Sequence, residues 1–286
     1  MDTENMSLKE KCYAYQKAAN YFLDPDKYII AHIDGRSFSK MIKNKFKKPF
    51  DDTFIEAMNE TAKYLCKEVQ GCIFAYTQSD EISLIIRKND PEGDVFFGGR
   101  MCKMQSILAA LATSKFSQVM AIERLKSIPS CASAENVLEM CIDEIENGPL
   151  YQFDCKVWNV DSANDAMAWL LFRNIDCVRN SKQQTAQTYL PHKKLMSLNT
   201  DEQIKLLKQE KNIDWNKFDN GKKFGRFIKK TTKTFNIVGN ESTEELVMAY
   251  QNSYTRHIWE AVDGCDLTNE ENRNNLINEL NLIDNE

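Results

Sequence analysis

The chain has 286 residues, of which 42% are hydrophobic, and a formal net charge of −5. This content is enough for a packed interior, and the absence of an apolar run of about eighteen residues argues against a membrane-spanning helix. Nine cysteines without a C-x-x-C pair, beside only three histidines, argue against a zinc site and a disulfide framework. We therefore expect a protein of the reducing cytoplasm.

The N-terminal half predicts alternating strands and helices. An apolar run from Tyr28 to Ile33 is typical of a strand. Apolar residues three or four positions apart then predict a helix from about Asp52 to Val69. Two further apolar runs, Cys72 to Thr77 and Ile82 to Arg87, predict a hairpin around the turn at 78–81.

The following segment completes the order β-α-β-β-α-β. A long helix is predicted from about Phe97 to Leu125, a helical stretch from Ser133 to Glu146, and a strand from Gln152 to Val160. This order is typical of the ferredoxin-like α+β arrangement, in which the first and third strands are central neighbours. We assign residues 1–162 to this core and 163–286 to a C-terminal lobe, joined in one integrated domain.

The C-terminal lobe separates its charges. Residues 192–233 carry twelve Lys or Arg and five acids, whereas residues 240–286 carry two Arg and eleven acids. The first stretch, with aromatic residues between the lysines, predicts a basic, largely helical lobe that grips a nucleic-acid backbone, a solvated surface being the alternative. The acidic tail is predicted to be a helix packed on this chain or on a sister subunit. That prediction rests on the spacing of Leu246 or Val247, Tyr250, Tyr254, Ile258 and Val262.

Two carboxylates follow predicted strands in short motifs. Asp34 ends the first strand, and Asp80 lies in the hairpin turn. If these strands are neighbours, the two carboxylates lie side by side and suit Mg²⁺, which takes one or two protein carboxylates and completes its shell with water and phosphate oxygens. Six basic residues and no acid between Arg36 and Phe50 predict a phosphate-binding wall. The combination indicates nucleotidyl transfer, although each motif alone is also typical of an ordinary turn.

In this order, the motifs resemble those of the tRNA-histidine guanylyltransferases and their bacterial and archaeal guanylyltransferase-like relatives. The likeness covers about residues 28–230. Its motifs are His32-Ile33-Asp34-Gly35-Arg36-x-Phe38, Lys48-Pro49, Tyr76-x-Gln78-Ser79-Asp80-Glu81, Phe97-x-x-Arg100-x-x-Lys103-x-x-Ser106, Phe153-Asp154, Asp176-x-x-Arg179-Asn180-Ser181, Ala186-Gln187, His192-Lys193, and Trp215 ahead of Lys222. The resemblance implies a polymerase-palm-like fold, a homotetramer, and addition of nucleotides to the 5′ end of tRNA in the 3′-to-5′ direction.

The resemblance also implies roles for single residues. Asp34 and Asp80 would bind two Mg²⁺ ions together with the Gly35 carbonyl, and Glu81 would join them as a catalytic carboxylate. ATP and GTP, the implied substrates, would be bound by Asp34, Gly35, Arg36, Ser37, Phe38, Ser39, Lys48, Ser79, Asp80, Arg100 and Lys103. The tRNA would contact Arg179, Asn180, His192 and Lys193.

The implied chemistry has two steps. ATP first adenylylates the 5′-monophosphate of tRNA, and the 3′-hydroxyl of GTP then attacks that end and expels AMP. Eukaryotic members carry His-Ile-Asn-Asn where this chain has Val178-Arg179-Asn180-Ser181, which favours template-directed repair of tRNA 5′ ends over maturation of tRNA-histidine alone. Two other functions remain open: a palm-fold nucleotide cyclase, and a tRNA-binding protein without catalysis.

Overall fold

A computed structural model describes residues 6–38, 46–88, 92–129, 133–236 and 253–282 of the chain. Within these residues no helix combines the length and the apolar character needed to cross a membrane. The fold is built on one antiparallel sheet with helices on both faces.

In the described segments the sheet has six strands, in the order β4-β1-β3-β2-β5-β6. Their bounds are Tyr28–Gly35 (β1), Cys72–Gln78 (β2), Glu81–Ile86 (β3), Phe153–Val160 (β4), Arg226–Asn236 (β5) and Ser253–Asp263 (β6). The first and third strands are central neighbours, as the ferredoxin-like order predicts. The predicted α+β, palm-like class is therefore confirmed for the first four strands.

Nine helices surround this sheet in the described part of the chain. They are Leu8–Ala18 (α1), Asp52–Glu68 (α2), Met101–Lys126 (α3), Ala134–Asn147 (α4), Ala163–Tyr189 (α5), His192–Leu195 (α6), Thr200–Lys211 (α7), Asn220–Phe224 (α8) and Glu270–Glu279 (α9). Short 3₁₀ turns lie at Phe96–Gly99 and Trp215–Lys217. Polar side chains fix where the two helices nearest the site begin: Asp51 accepts from the amide of Phe54 at 3.0 Å, and Ser162 from that of Asp165 at 3.0 Å.

The central strands are buried on both faces. On one face Ile29, Ala31 and Ile33 of β1 pack in a single cluster with residues of α2 and α3. On the other face Ile30 packs with residues of α5, with Phe74 among its neighbours. Since successive side chains of a strand point to opposite faces, a strand covered on both sides reads as the continuous apolar run seen in the sequence.

The predicted helix of the acidic tail was wrong at residues 253–263, and the tail forms a helix only farther on, at Glu270–Glu279 (α9). Residues 253–263 form β6, which pairs along its whole length with β5, so the basic lobe also contains a strand and is helical only before residue 226. The prediction failed because its spacing is ambiguous. A spacing of four, as in Tyr254, Ile258 and Val262, is typical of one face of a helix, but any even spacing also keeps residues on one face of a strand. The rest of that predicted helix, at residues 246–252, lies outside the described residues.

Candidate active site

The end of β1 lies directly against the hairpin turn that carries Asp80. The Gly35 amide donates to the Asp80 carbonyl at 3.0 Å. A β-carbon on Gly35 would come within 2.8 Å of the Asp80 β-carbon and 2.6 Å of the Phe38 ring. Only glycine allows this approach, so the sequence Asp34-Gly35 brings the first carboxylate next to the second.

The strand register adds two further carboxylates. Asp34 is paired across β1 and β3 with Glu81, and across β1 and β4 with Asp154. The turn itself is tight, because Gln78 pairs with Glu81 and Ser79 has a left-handed φ of 49°. The Ser79 hydroxyl donates to the Asp80 carboxylate at 2.9 Å. Four acidic side chains therefore converge at one edge of the sheet.

Where these acids converge, the pKa values of Asp34 and Asp80 are raised. Burial, and then the neighbouring charges of Asp80, Glu81 and Asp154, raise the pKa of Asp34 to about 6. Burial also raises the pKa of Asp80, against the effect of the hydrogen bond from Ser79. Carboxylates held together in this way are stabilised by a cation.

The donor set suits Mg²⁺ bound jointly with a substrate. Within the described residues no group of three or more His, Cys, Asp or Glu side chains is arranged to hold a metal ion alone. Asp34 and Asp80 supply two hard oxygen ligands, and Mg²⁺ sites in nucleotide enzymes combine one or two carboxylates with phosphate oxygens and water. The residues therefore fit an ion that arrives with a nucleotide.

Glu81 differs from the other acids because its carboxylate is already paired with the guanidinium of Arg173. The Nε atom of Arg173 donates to one carboxylate oxygen at 2.9 Å, and a terminal nitrogen of the same guanidinium donates to the other at 2.8 Å. Gln78 donates to the first oxygen at 2.8 Å. The predicted catalytic role of Glu81 stays a prediction, and these contacts limit its freedom to bind anything else.

In the loop after Gly35 the side chains of Arg36 and Ser37 are exposed and that of Phe38 is buried. Phe38 is buried in the aromatic core, 1% exposed, so its side chain is not available to a nucleotide. Arg36 donates to the side chain of Gln152 at 2.9 Å, and Ser37 has a left-handed φ of 59°. Ser39, also predicted to bind nucleotide, lies outside the described residues.

A pocket of about 110 Å³ opens beside the turn. Gln78 and Ser79 form part of its wall. The other lining residues are Phe46, Lys47, Pro49, Phe50, Asp51, Phe54, Ile55, Cys177, Asn180, Ser181, Gln184, Gly221, Lys222, Gly225 and Arg226. The predicted nucleotide ligand Lys48 is exposed between two of them. The pocket thus combines aromatic rings with basic groups next to the carboxylates.

The structure does not bring Arg100 and Lys103 to this site within one chain. Both lie at the start of α3, where the backbone contacts Tyr21 and Leu23. Phe116, sixteen positions after Arg100, is the part of α3 that packs on Phe38 near the carboxylates. At 1.5 Å per helical residue, Arg100 lies about 24 Å and Lys103 about 20 Å from Phe116 along the helix, which separates both cations from the acidic cluster.

The predicted tRNA contacts fall into two places. Asn180 lines the pocket, and Arg179 forms an ion pair with Asp176 at 2.8 Å. His192 and Lys193 are exposed in α6, beyond the end of α5. Only the first pair is therefore close to the carboxylates.

Sequence reasoning missed Arg173 and most of the pocket. Arg173 lies in α5, a helix that the sequence analysis does not predict. Its position three residues before Asp176 gives no sign of a partner 92 positions away. Lys222 and Arg226 belong to the Lys-rich stretch, which predicted a basic surface but not a pocket wall. Their partners come from distant parts of the chain, so no local pattern identifies them.

Comparison with solved structures finds the same architecture. A bacterial tRNA(His) guanylyltransferase (Thg1)-like protein in complex with ATP matches with a TM-score of 0.73 and 25% identity, over 96% of this chain and 99% of that one. A tRNA(His) guanylyltransferase from Saccharomyces cerevisiae matches with a TM-score of 0.59 and 23% identity, over 76% of this chain and 91% of that one, which supports the fold.

Curated relatives match over different shares of their length. An uncharacterized protein of Acanthamoeba polyphaga mimivirus is 28% identical over 82% of this chain and 80% of its own length. The tRNA(His) guanylyltransferase 2 of Arabidopsis thaliana is 31% identical over 51% of this chain but only 27% of its own length. The chain thus spans about a quarter of that enzyme.

The strongest assignment comes from the family profile. The profile described as tRNAHis guanylyltransferase (Thg1) matches residues 9–161, which is more than half of the chain. That segment contains β1 to β4, the Asp34-Gly35 turn and the hairpin of Asp80. The chain therefore belongs to the tRNAHis guanylyltransferase (Thg1) family.

Proposed function

We propose that this chain is a nucleotidyltransferase that extends tRNA at its 5′ end in the 3′-to-5′ direction, with ATP as activator and GTP as the preferred added nucleotide. The observation that carries the proposal is the contact between Gly35 and the Asp80 carbonyl, 3.0 Å long, which puts two carboxylates at one sheet edge. Family membership and the match to an ATP-bound relative support it.

Asp34, Asp80 and the Gly35 carbonyl are the groups that would hold Mg²⁺. Mg²⁺ bound there would supply positive charge to the triphosphate and to the attacking and leaving oxygens. The chain's own part is to fix the two carboxylates: β1 and β3 hold the first by their register, and the Ser79 hydroxyl orients the second.

The proposed chemistry has two balanced displacements. In the first, an oxygen of the tRNA 5′-monophosphate attacks the α-phosphorus of ATP and pyrophosphate leaves. In the second, the 3′-hydroxyl of GTP attacks the tRNA 5′-phosphorus, AMP leaves, and the hydroxyl proton passes to solvent. Both are in-line phosphoryl transfers, in which the protein positions the reactants and stabilises charge.

The pocket beside Ser79 can hold the base of a nucleotide whose phosphates lie at the carboxylates. Phe46 and Phe50 line this pocket with aromatic rings, which suit stacking on a base. Lys222 and Arg226 bring positive charge, although Lys222 is paired with Asp52 at 3.2 Å and with Asp219 at 3.6 Å. Burial lowers the pKa of Arg226, and the nearby charges of Asp263, Glu56 and Asp52 act against that shift.

Template-directed repair fits the surroundings of Ser181 better than tRNA-histidine identity. This residue stands at the last position of the motif that reads His-Ile-Asn-Asn in eukaryotic members. It is 5% exposed, accepts from the indole of Trp215 at 2.9 Å and donates to the Lys222 carbonyl at 2.8 Å. Its hydroxyl is committed to internal contacts, so it does not read a tRNA base. A cytoplasmic location, expected from the cysteine content, and a homotetramer, implied by the family resemblance, are part of the same proposal.

The direct test is extension of tRNAs that lack their 5′ nucleotide and carry a 5′-monophosphate. We expect wild type to add a nucleotide with ATP and GTP, to both tRNA-histidine and other truncated tRNAs. Asp34→Asn and Asp80→Asn keep the side-chain shape and remove a metal ligand, so each should lower kcat by about 10³-fold or more.

Lys27→Gln is the matched control, because it removes an exposed ion pair with Asp161 on the surface. The proposal fails if the two Asn variants extend tRNA as well as the control does. Cyclic products from ATP or GTP without tRNA would instead indicate the cyclase, and tRNA binding without any transfer by wild type would indicate a non-catalytic binding protein.

A further inference from the structure

Each of the three nitrogens of the Arg173 guanidinium donates to a carboxylate of this protein. Two of its nitrogens donate to the two oxygens of Glu81, and the third donates to Asp176 at 2.9 Å. Its side chain is 11% exposed, and its central carbon lies 5.8 Å from the Trp169 ring and 4.9 Å from the Phe172 ring. A residue enclosed in this way acts through its partners.

The partner that matters is the residue directly after Asp80. Glu81 begins β3 and is paired with Asp34 across the sheet. Its carbonyl accepts from the Thr77 hydroxyl at 2.9 Å, and its carboxylate accepts from Gln78 at 2.8 Å. The side chain of Glu81 therefore links the hairpin turn to α5.

The ion pair with Arg173 also compensates the negative charge of Glu81 beside the two metal-binding carboxylates. Without Arg173, Glu81 would be a third uncompensated carboxylate beside Asp34 and Asp80, with only 18% of its side chain exposed. A two-point contact between guanidinium and carboxylate also fixes direction, which a single lysine contact does not.

We propose that Arg173 is a positioning residue of the nucleotidyl-transfer site: it holds Glu81 in place, so that the turn carrying Asp80 keeps its position and Glu81 stays out of the metal-binding pair. The inference rests on the proposed function of this site and deepens it. Glu81 then serves the reaction through the turn and does not bind metal itself.

The test is a double-mutant cycle between Arg173→Gln and Glu81→Gln, measured by kcat for tRNA extension. Arg173→Gln leaves a buried carboxylate without its partner and should lower kcat about 100-fold, the scale expected for a displacement of about 1 Å. Glu81→Gln should cost less than about tenfold, because a neutral amide still accepts from Arg173. The kcat of the double variant should return to that of Glu81→Gln, since position 81 no longer carries an unpaired charge.

Asp176→Asn is the matched control. This substitution removes the charge of Asp176, the other carboxylate partner of Arg173, and leaves Glu81 untouched. We therefore expect a loss of less than about threefold in kcat. If Arg173 only packs α5, the double variant will stay as impaired as Arg173→Gln, and the proposal is overturned. It is also overturned if Glu81→Gln loses as much activity as Asp80→Asn, because Glu81 would then be a metal ligand.

Thermal unfolding gives a readout that needs no activity. Arg173→Gln should lower Tm by roughly 5 °C, and the double variant should restore most of that loss. If wild type transfers no nucleotide, the proposed function fails while this comparison still tests the contact. A double variant with no higher Tm than Arg173→Gln would then overturn the inference.

Discussion

Gly35 is the residue on which the distance between the two metal-binding carboxylates depends. Its missing side chain lets β1 and the hairpin turn touch, with the Asp80 carbonyl accepting its amide proton at 3.0 Å. Before it, Asp34 is paired with Glu81 and Asp154 in the sheet, and after it the Arg36 amide donates to the Gln152 carbonyl at 2.8 Å, so the chain is held on both sides of Gly35.

We predict that Gly35→Ala damages both stability and catalysis. The added β-carbon would lie 2.6 Å from the Phe38 ring and 2.8 Å from the Asp80 β-carbon, which forces the turn away from β1. The free energy of unfolding should fall by about 1–3 kcal/mol, and kcat should fall by about 100-fold. Urea unfolding and the tRNA-extension assay measure the two effects.

A stability-matched control separates these effects. Ile86→Val removes one buried methyl group at the opposite end of β3, and its cost should be about 0.5–1.5 kcal/mol. Its kcat should stay within about twofold of wild type. Equal kcat losses in the two variants would show that lowered stability, rather than the geometry at Gly35, limits activity.

At the scale of elements, α5 connects the site to the C-terminal strands. Asn174, fully buried, donates to the carbonyls of Phe224 at 3.0 Å and Cys265 at 3.2 Å. Its side-chain oxygen accepts from the Leu267 amide at 3.0 Å. One side chain thus joins the helix to the end of α8, just before β5, and to the segment after β6.

We predict that Asn174→Ala lowers the free energy of unfolding by about 3 kcal/mol. The change leaves the Cys265 carbonyl and the Leu267 amide without the partner they have now, whereas the Phe224 carbonyl keeps the Tyr76 hydroxyl at 2.8 Å. Each unsatisfied buried group costs about 1–3 kcal/mol. Urea denaturation of the variant measures the loss.

Thr185→Val provides the comparison in the same helix. Thr185 is also fully buried, but its hydroxyl donates only to the Ser181 carbonyl one turn earlier in α5. We expect a loss of about 1 kcal/mol, since the hydrogen bond lost lies within one helix. Similar losses in both variants would contradict the role of Asn174 as a link between elements.

At the scale of the molecule, the basic surface of the C-terminal lobe should govern tRNA affinity. Binding to a phosphate backbone releases counterions, so each contacting cation adds to the salt dependence. Lys193 and Lys194 are neighbours in α6 and differ in their surroundings. Lys194 is 2.7 Å from Glu210, whereas Lys193 is exposed and has no ion pair within the described residues.

We predict that Lys193→Gln weakens tRNA binding for all tRNAs alike and lowers the slope of log K against log salt by about 1. Lys194→Gln should lower the slope less, because its charge is already compensated by Glu210. Filter binding at several salt concentrations measures both slopes. Equal slopes for Lys193→Gln and wild type would remove Lys193 from the tRNA surface.

The sequence alone determined the palm-like core and the pair of carboxylates. Strand β1 reads as a continuous apolar run because both faces of the sheet are covered, and the Asp34 and Asp80 turns are local signals. The predicted strand order makes the strands that carry them neighbours, and the structure supplies the register. These features depend on residues close in sequence, or on a topology with few alternatives.

The tertiary structure decided what lies around that pair. The contact of Arg173 with Glu81 spans 92 positions, and the pocket joins segments from Phe46 to Arg226. The even spacing of Ile258 and Val262 fitted a helix as well as a strand, and only pairing with β5 selected the strand. Contacts between distant residues leave no periodic trace in a single sequence, so packing alone settles them.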